Sequence, residues 1–531
     1  MFNTIIRNGR IVDGTGNPWF QGTVAIEGDC VKILTSDTSA VQAAKVIDAS
    51  GYVVAPGFID SHTHSDLVAL SEPRHEAKIM QGVTTDLIGV DGMGYAPLSK
   101  TNLEMMRVYW ASVCGNPELD VEWSSVAEYL QCFNHKTAGN IGYFIPNGAI
   151  RAEAVGWENR PATEKEIRAM QDMIRQGMAE GALGLSTGLS YPPGMWADTD
   201  ELVELCKIVA KYGGVYTTHV RYDMGDRSLD GFKEAVAIGE RSGVAVNISH
   251  YACGPKIPGQ PDKMLHLIDE ARKSGVDISF DSYPYEYGCT CLLAPFIPFW
   301  AQDGGPYVLL ERLKSEAIRT KMKEENSQYL EDWSRMDYIA AVKSEKNKWC
   351  EGLHIWTIAD KLGKDIMSTV CDLLIDENLQ VTANENYGDY RNVKVMMQHP
   401  AGMVGSDGIL LGGMPNPRAY GTFPKVLRWL VREEKVLTLE KAVSKMTSLP
   451  ARRYGLSDRG ILQDGMKADI VIFNPDTVRD TATLAKPKQY PVGIDYVFVN
   501  GTLVAEKGKH TGALKGEPLT MRRVGALGLS A

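Results

Sequence analysis

The chain lacks the signals that would place it in a membrane, on a nucleic acid or in a disulfide framework. No window of about 18 consecutive apolar residues occurs, so no transmembrane helix is expected. Lys and Arg number 56 against 66 Asp and Glu, a formal net charge of −10, and no basic patch stands out, so nucleic acid is not an expected partner. The nine cysteines are scattered and include no Cys-x-x-Cys pair; Cys289 and Cys291 are the nearest two. An odd, dispersed set points to a reduced, cytoplasmic protein with free thiols. Met1 to Arg7 shows no basic end followed by a long apolar stretch, so no signal peptide is expected. No Gly-x-Gly-x-x-Gly follows an early strand, which counts against a dinucleotide-binding sheet. No internal repeat or low-complexity tract is evident.

What is there is ordinary globular material: 531 residues, 44% hydrophobic and 23% charged, enough for a large core. Both ends are strand-rich. Thr4–Arg7 and Arg10–Val12 flank Asn8-Gly9, and Asp13-Gly14 follows; both dipeptides are hairpin-type turn signals. Asp469–Phe473 and Tyr496–Asn500 look alike at the other end. A small β domain assembled from both termini is expected, with two unrelated terminal hairpins as the alternative.

The middle alternates helices with apolar strands. Thr163-x-x-Glu166 is a capping box opening a helix with Ile167, Met170, Ile174 and Met178 on one face. Further helices are expected near 199–212, 229–241 and 263–273, each followed by a strand: Val215–Val220, Val244–His250 and Val276–Phe280. Such units imply a parallel sheet, and a (β/α)8 barrel and an open doubly wound sheet both fit. Residues 300–350 are more polar, helix-prone over 311–325 and dotted with Trp300, Trp333 and Trp349; an insertion serving as a lid is expected.

His62-Thr63-His64 follows the apolar run Tyr52–Ala55 and the short strand candidate Phe58–Asp60. Residues two apart on a strand share a face, so both imidazoles can aim at one point. His219, His250 and Asp407 also stand where strands should end, the place where an α/β barrel carries its catalytic residues. Imidazoles with a carboxylate suit Zn²⁺ or a similar first-row metal. Such a metal activates water and polarises a carbonyl, and Asp407 beside it can move a proton, which describes hydrolysis of an amide or related bond.

The stretch Gly57-Phe58-Ile59-Asp60-Ser61-His62-Thr63-His64 resembles the metal signature of the amidohydrolase superfamily. More narrowly, the chain is similar to the N-acyl-D-amino-acid deacylases (D-aminoacylases), through Gly82–Thr85, Gly181–Leu189, Thr218–Arg221, Ile248–His250, Asp281–Tyr285 and Arg418–Pro424. The resemblance implies an α/β fold: a TIM-like (β/α)8 barrel over 56–459, with the lid at 300–350, and a β-sandwich from 1–55 plus 460–515. It implies one or two zinc ions, or another divalent metal, held by His62, His64, His219 and His250, with Asp407 as general acid/base. It assigns the substrate carboxylate to Arg418 and Tyr283. The implied partner is a small carboxylate-bearing amide; oligomeric state is left open.

The chain departs from that family at several positions. Where the family has a metal-ligating Cys in Gly-Asn-Cys-Gly, this sequence has Gly89-Val90-Asp91-Gly92; Asp91 is expected to ligate as a harder donor able to bridge two metals, with a turn aspartate as the alternative. A family Lys becomes Ala252, a small hydroxyl residue in the substrate pocket becomes Cys289, and two His positions become Asn147 and Asn416. These changes imply a substrate other than the standard one. Cyclic amide or imide opening, as in hydantoinase- or dihydroorotase-like relatives, is the enzymatic alternative, although no lysine stands in Leu183–Thr187 to bridge two metals. A non-catalytic barrel protein is the remaining reading.

Overall fold

A computed structural model describes residues 2–34, 41–222, 229–252, 260–325, 336–386 and 388–521. The strand Val83–Ile88 is buried at every position, the pattern of a parallel strand covered on both faces. It pairs in parallel with Phe58–Asp60 on one side and Asn140–Tyr143 on the other. A six-stranded sheet runs in the order Gly402–Val404, Ile278–Ser282, Ala245–Ile248, Val215–His219, Gly184–Gly188, Ile145–Pro146, all parallel. Backbone hydrogen bonds join the two sheets at both margins. Leu183 N donates to Tyr143 O (2.8 Å) at one margin; Ser61 N donates to Val404 O (3.4 Å) and Asp407 N to His62 O (2.8 Å) at the other.

Helices cover the strands. The capping box expected at Thr163 is present: Glu164–Ala179 starts with Thr163 Oγ1 accepting from Glu166 N, and it buries Met170, Ile174 and Met178. The other helices are Thr199–Lys211, Asp230–Ser242 and Pro261–Lys273, close to the expected ranges. No helix among the described residues is long and apolar enough to cross a membrane.

Strands from both ends of the chain form one nine-stranded sheet. Val53–Pro56 lies between Phe2–Ile11 and Ile470–Phe473, so the two termini meet at its edges. Asn8-Gly9 does not make the expected hairpin. Phe2–Ile11 runs on as one strand, and the dipeptide forms a bulge where the register with Phe20–Glu27 shifts between Ile6 and Gly9. Asn8 takes a left-handed φ of 61°, and a Cβ on Gly9 would fall 2.5 Å from Val54 Cγ2. The local signal for φ > 0 is therefore satisfied inside a ladder rather than at its end.

The expected insertion at 300–350 lies within a longer stretch between two strands of the parallel sheet. Between Ile278–Ser282 and Gly402–Val404 the chain builds a separate antiparallel sheet, Tyr287–Cys291, Val381–Asn386 and Met336–Val342, and the helices Pro306–Leu313 and Ile366–Asp376 that pack on each other. Within the expected lid, 326–335 lie outside the described residues.

Candidate metal centre

His62 and His64 leave the end of Phe58–Asp60, and Asp91 follows Val83–Ile88. His219 closes Val215–His219, His250 stands two residues beyond Ala245–Ile248, and Asp407 three beyond Gly402–Val404. Parallel strands put all of these at one end. Three of them, Asp91 (φ 55°), His250 (φ 36°) and Asp407 (φ 48°), hold left-handed backbone. For a non-glycine residue that costs about 1–3 kcal/mol, sustained only where surroundings over-determine it. Those surroundings are visible. His250 N donates to Asp281 Oδ1 (2.8 Å) and Gly92 N donates to Ser186 Oγ (3.1 Å). Lys78 Nζ donates to Ser406 Oγ (2.7 Å), beside the buried Asp60 that accepts from Ser406 N (2.8 Å). Gly188 lies so close that a Cβ there would sit 2.0 Å from Asp91 O.

The side chains converge on Asp91. Its Oδ2 is 3.3 Å from His62 Nε2, 3.3 Å from His250 Nε2, 3.7 Å from His64 Nε2 and 3.8 Å from His219 Nδ1. Asp407 Oδ1 lies 3.2 Å from His64 Nε2 and 3.7 Å from His62 Nε2. Two donor groups result, His62 with His64, Asp91 and Asp407, and Asp91 with His219 and His250, each within 4.8 Å across. Asp91 belongs to both.

Electrostatics and unmet bonding both ask for a cation here. Burial pushes the His62 and His250 imidazoles down, yet the surrounding carboxylates together reverse it and raise both above their usual values, Asp91 with Asp281 at His62 and Asp91 with Asp407 at His250. Burial opposes ionisation of Asp91, but His62 and His250 hold its carboxyl well below the usual range. Burial likewise raises Asp407, and Arg418, His64 and His62 more than reverse it. Burial and His250 together push His219 down to about 3. The buried carboxylates thus favour positive charge at this point, which a divalent cation would supply. Among the described residues, His62 Nε2, Asp91 Oδ1 and His219 Nε2 are buried without a hydrogen-bond partner, which suits them to ligate a metal. An imidazole–carboxylate set of this kind fits zinc.

Arg418 opens the helix Arg418–Lys425 and is fully buried. Its Nη2 is 2.9 Å from Asp407 Oδ2 and donates to Cys289 O (3.2 Å), and its guanidinium lies 4.5 Å from the centre of the Tyr283 ring. Arg418 N donates to Asn416 Oδ1, whose amide in turn donates to Gly288 O and Asn384 Oδ1. Cys289 thus meets the site through its carbonyl; burial pushes its thiol up to about 12, so it is a packed thiol rather than a nucleophile. The eight described cysteines are free, and Cys253 lies outside the described residues.

Sequence reasoning gave no role to Asp281, which lies 3.4 Å from His62 Nδ1 and accepts from His250 N and Asn247 Nδ2. Its position near the end of Ile278–Ser282, the same end that carries the histidines, was the available signal. Tyr191 and Tyr222 were also missed. The Tyr191 ring packs 4.8 Å from His219, and Tyr222 Oη is 3.3 Å from His250 Nδ1. No local pattern marks either one.

Residues 45–505 match the amidohydrolase family. A D-aminoacylase from Alcaligenes xylosoxydans xylosoxydans is 32% identical over 98% of this chain and 97% of its own length. Among solved structures, an N-acyl-D-glutamate deacylase from Bordetella bronchiseptica, complexed with zinc and a phosphonate mimic of the tetrahedral intermediate, superposes with a TM-score of 0.82 at 32% identity, covering 98% of this chain and 99% of that one. A D-aminoacylase studied for its binuclear metal centre gives the same TM-score and identity over 98% of this chain and all of its own.

Proposed function

This chain belongs to the amidohydrolase family, on the branch that holds the D-aminoacylases, and on that footing we propose that it is a zinc-dependent hydrolase that deacylates N-acyl-D-amino acids. The observation that carries the proposal is the convergence of four histidines and two aspartates on one point beside Arg418. His62 and His64 would hold one ion and His219 and His250 a second, with Asp91 available to both and Asp407 beside them. Such ions, when bound, bring the pKa of water toward ~7 and polarise a carbonyl.

The chain's own groups do the rest. Asp407, kept ionised by Arg418 despite its burial, accepts a proton from the attacking water at Oδ1 and returns it to the leaving nitrogen. Asp281 behind His62 and Tyr222 beside His250 fix ring orientation, as partners of ligating imidazoles do. Arg418, seated over Tyr283, offers a planar fork to the substrate α-carboxylate. The D configuration comes from the relatives. Ala252, Asn147, Asn416 and Cys289 stand where the family carries other side chains, which supports an amino-acid side chain different from the family's usual one.

The same reading takes the two parallel sheets as one closed (β/α)8 barrel over 56–459, the strands of 1–55 and 460–515 as a β-sandwich domain, and the insertion, including 300–350, as a lid. The hydrogen bonds at both sheet margins support the first, and the shared nine-stranded sheet the second. Free, dispersed thiols support a cytoplasmic setting.

Cyclic amide opening has less behind it. The strand Gly184–Gly188 reads Gly-Leu-Ser-Thr-Gly and carries no lysine to be carboxylated between two metals. The test is a panel of N-acetyl and N-formyl D- and L-amino acids beside hydantoins and cyclic imides, assayed with zinc-loaded protein. Release of free D-amino acid is expected. Ring opening without deacylation would overturn the proposal.

A further inference from the structure

We propose that Glu385 selects substrates whose amino-acid side chain carries a cation, so that this enzyme deacylates N-acyl-D-amino acids with an amine or guanidinium terminus. The inference rests on the deacylase reading and goes beyond it, to the substrate class.

The position follows from strand register. In the insertion sheet Gly288 pairs with Glu385 and Thr290 with Ala383, so Glu385 and Thr290 share one face. That face meets the metal end of the parallel strands: Thr290 Oγ1 is 3.4 Å from Tyr191 Oη, and the Tyr191 ring packs on His219. The neighbouring positions on the opposite face, Cys289 and Asn384, are buried, whereas Thr290 and Glu385 remain part-exposed.

The charge pattern gives the class. Burial pushes the Glu385 carboxyl up to about 7, and Arg418 pulls it back, so the two groups sense each other within one poorly solvated region. The Glu385 side chain makes no hydrogen bond or ion pair among the described residues, whereas Arg418 is already engaged by Asp407. A half-buried carboxylate without a direct partner is costly unless a ligand brings the missing cation. With Arg418 placed for the α-carboxylate, Glu385 completes an ordered pair, positive then negative. An amino acid with a basic side chain presents the complementary pair. An acidic side chain would set like charges together, which works against it.

The experiment compares kcat/KM for N-acetyl-D-lysine and N-acetyl-D-arginine with that for N-acetyl-D-leucine and N-acetyl-D-glutamate, in the zinc-loaded wild-type enzyme and in Glu385→Gln and Glu385→Lys. The readout is the basic-to-neutral ratio, which cancels any loss of folded enzyme. Wild type should favour the basic substrates by about tenfold or more. Glu385→Gln should bring the ratio near one, and Glu385→Lys should move preference to the glutamate derivative. A wild-type ratio at or below one with good turnover of N-acetyl-D-leucine overturns this proposal and leaves the deacylase reading standing. No turnover of any N-acyl-D-amino acid overturns both.

Discussion

The metal end of the parallel strands and the rim built by the insertion sheet meet through Tyr191, yet they are made differently. At the metal end the six candidate ligands come from five strands and are buried or nearly so, even at the expense of left-handed backbone at Asp91, His250 and Asp407. At the rim, Thr290 and Glu385 stand on a short antiparallel sheet, part-exposed and held by few polar contacts. The contrast teaches a division of labour. Bond-breaking groups need fixed geometry and are over-determined, while groups that choose among substrates sit where a substitution disturbs little else.

The sharpest way to break the comparison is at the metal end. Asp407→Asn should cut turnover by a factor of about 10² or more while zinc stays bound, measured by steady-state kinetics beside metal analysis. Unchanged turnover would remove Asp407 from proton transfer. Next in size, Arg418→Ala should raise KM for carboxylate substrates by roughly tenfold or more, while an N-acyl amine lacking the carboxylate should show only the fall in kcat shared by all substrates when Asp407 loses its ion-pair partner. Equal loss on both would make Arg418 a structural group.

A smaller effect sharpens the claim that backbone geometry is enforced. Gly188→Ala puts a methyl 2.0 Å from Asp91 O, so the 89–92 turn must shift. A loss of about 1–3 kcal/mol in unfolding free energy, with weaker zinc retention, is expected from denaturant titration and metal analysis. The smallest lies far from the site. Arg160 and Thr163 hold the Glu166 carboxyl down to about 2, against an ordinary value of 4.5. Its contribution is therefore complete above pH 4.5 and lost as pH falls toward 2. Glu166→Gln should lower stability at neutral pH and flatten that acid limb, with no change in the metal end.

The legible parts of the chain were those whose geometry is local. His62 and His64 sit two apart beyond a strand, and the Thr163 capping box needs four residues; neither depends on distant contacts. Asp91 was visible only as a departure from a family motif, because Asp-Gly alone is a common turn pair. Asp281 hid because its role exists only when Ile278–Ser282 lies beside the strands carrying His62 and His250. Asn8-Gly9 misled because a left-handed pair serves a bulge as well as a hairpin, and only the partner strand decides. Glu385 could not be seen at all, since its importance comes from pairing with residues about a hundred positions away.

Chelation and reconstitution give the most direct test of the central claim. Zinc-loaded protein should hydrolyse an N-acyl-D-amino acid, lose that activity when the metal is stripped, and regain it in proportion to zinc restored, whereas His219→Ala should bind less zinc from the outset. Full activity in protein shown by analysis to be metal-free would contradict it.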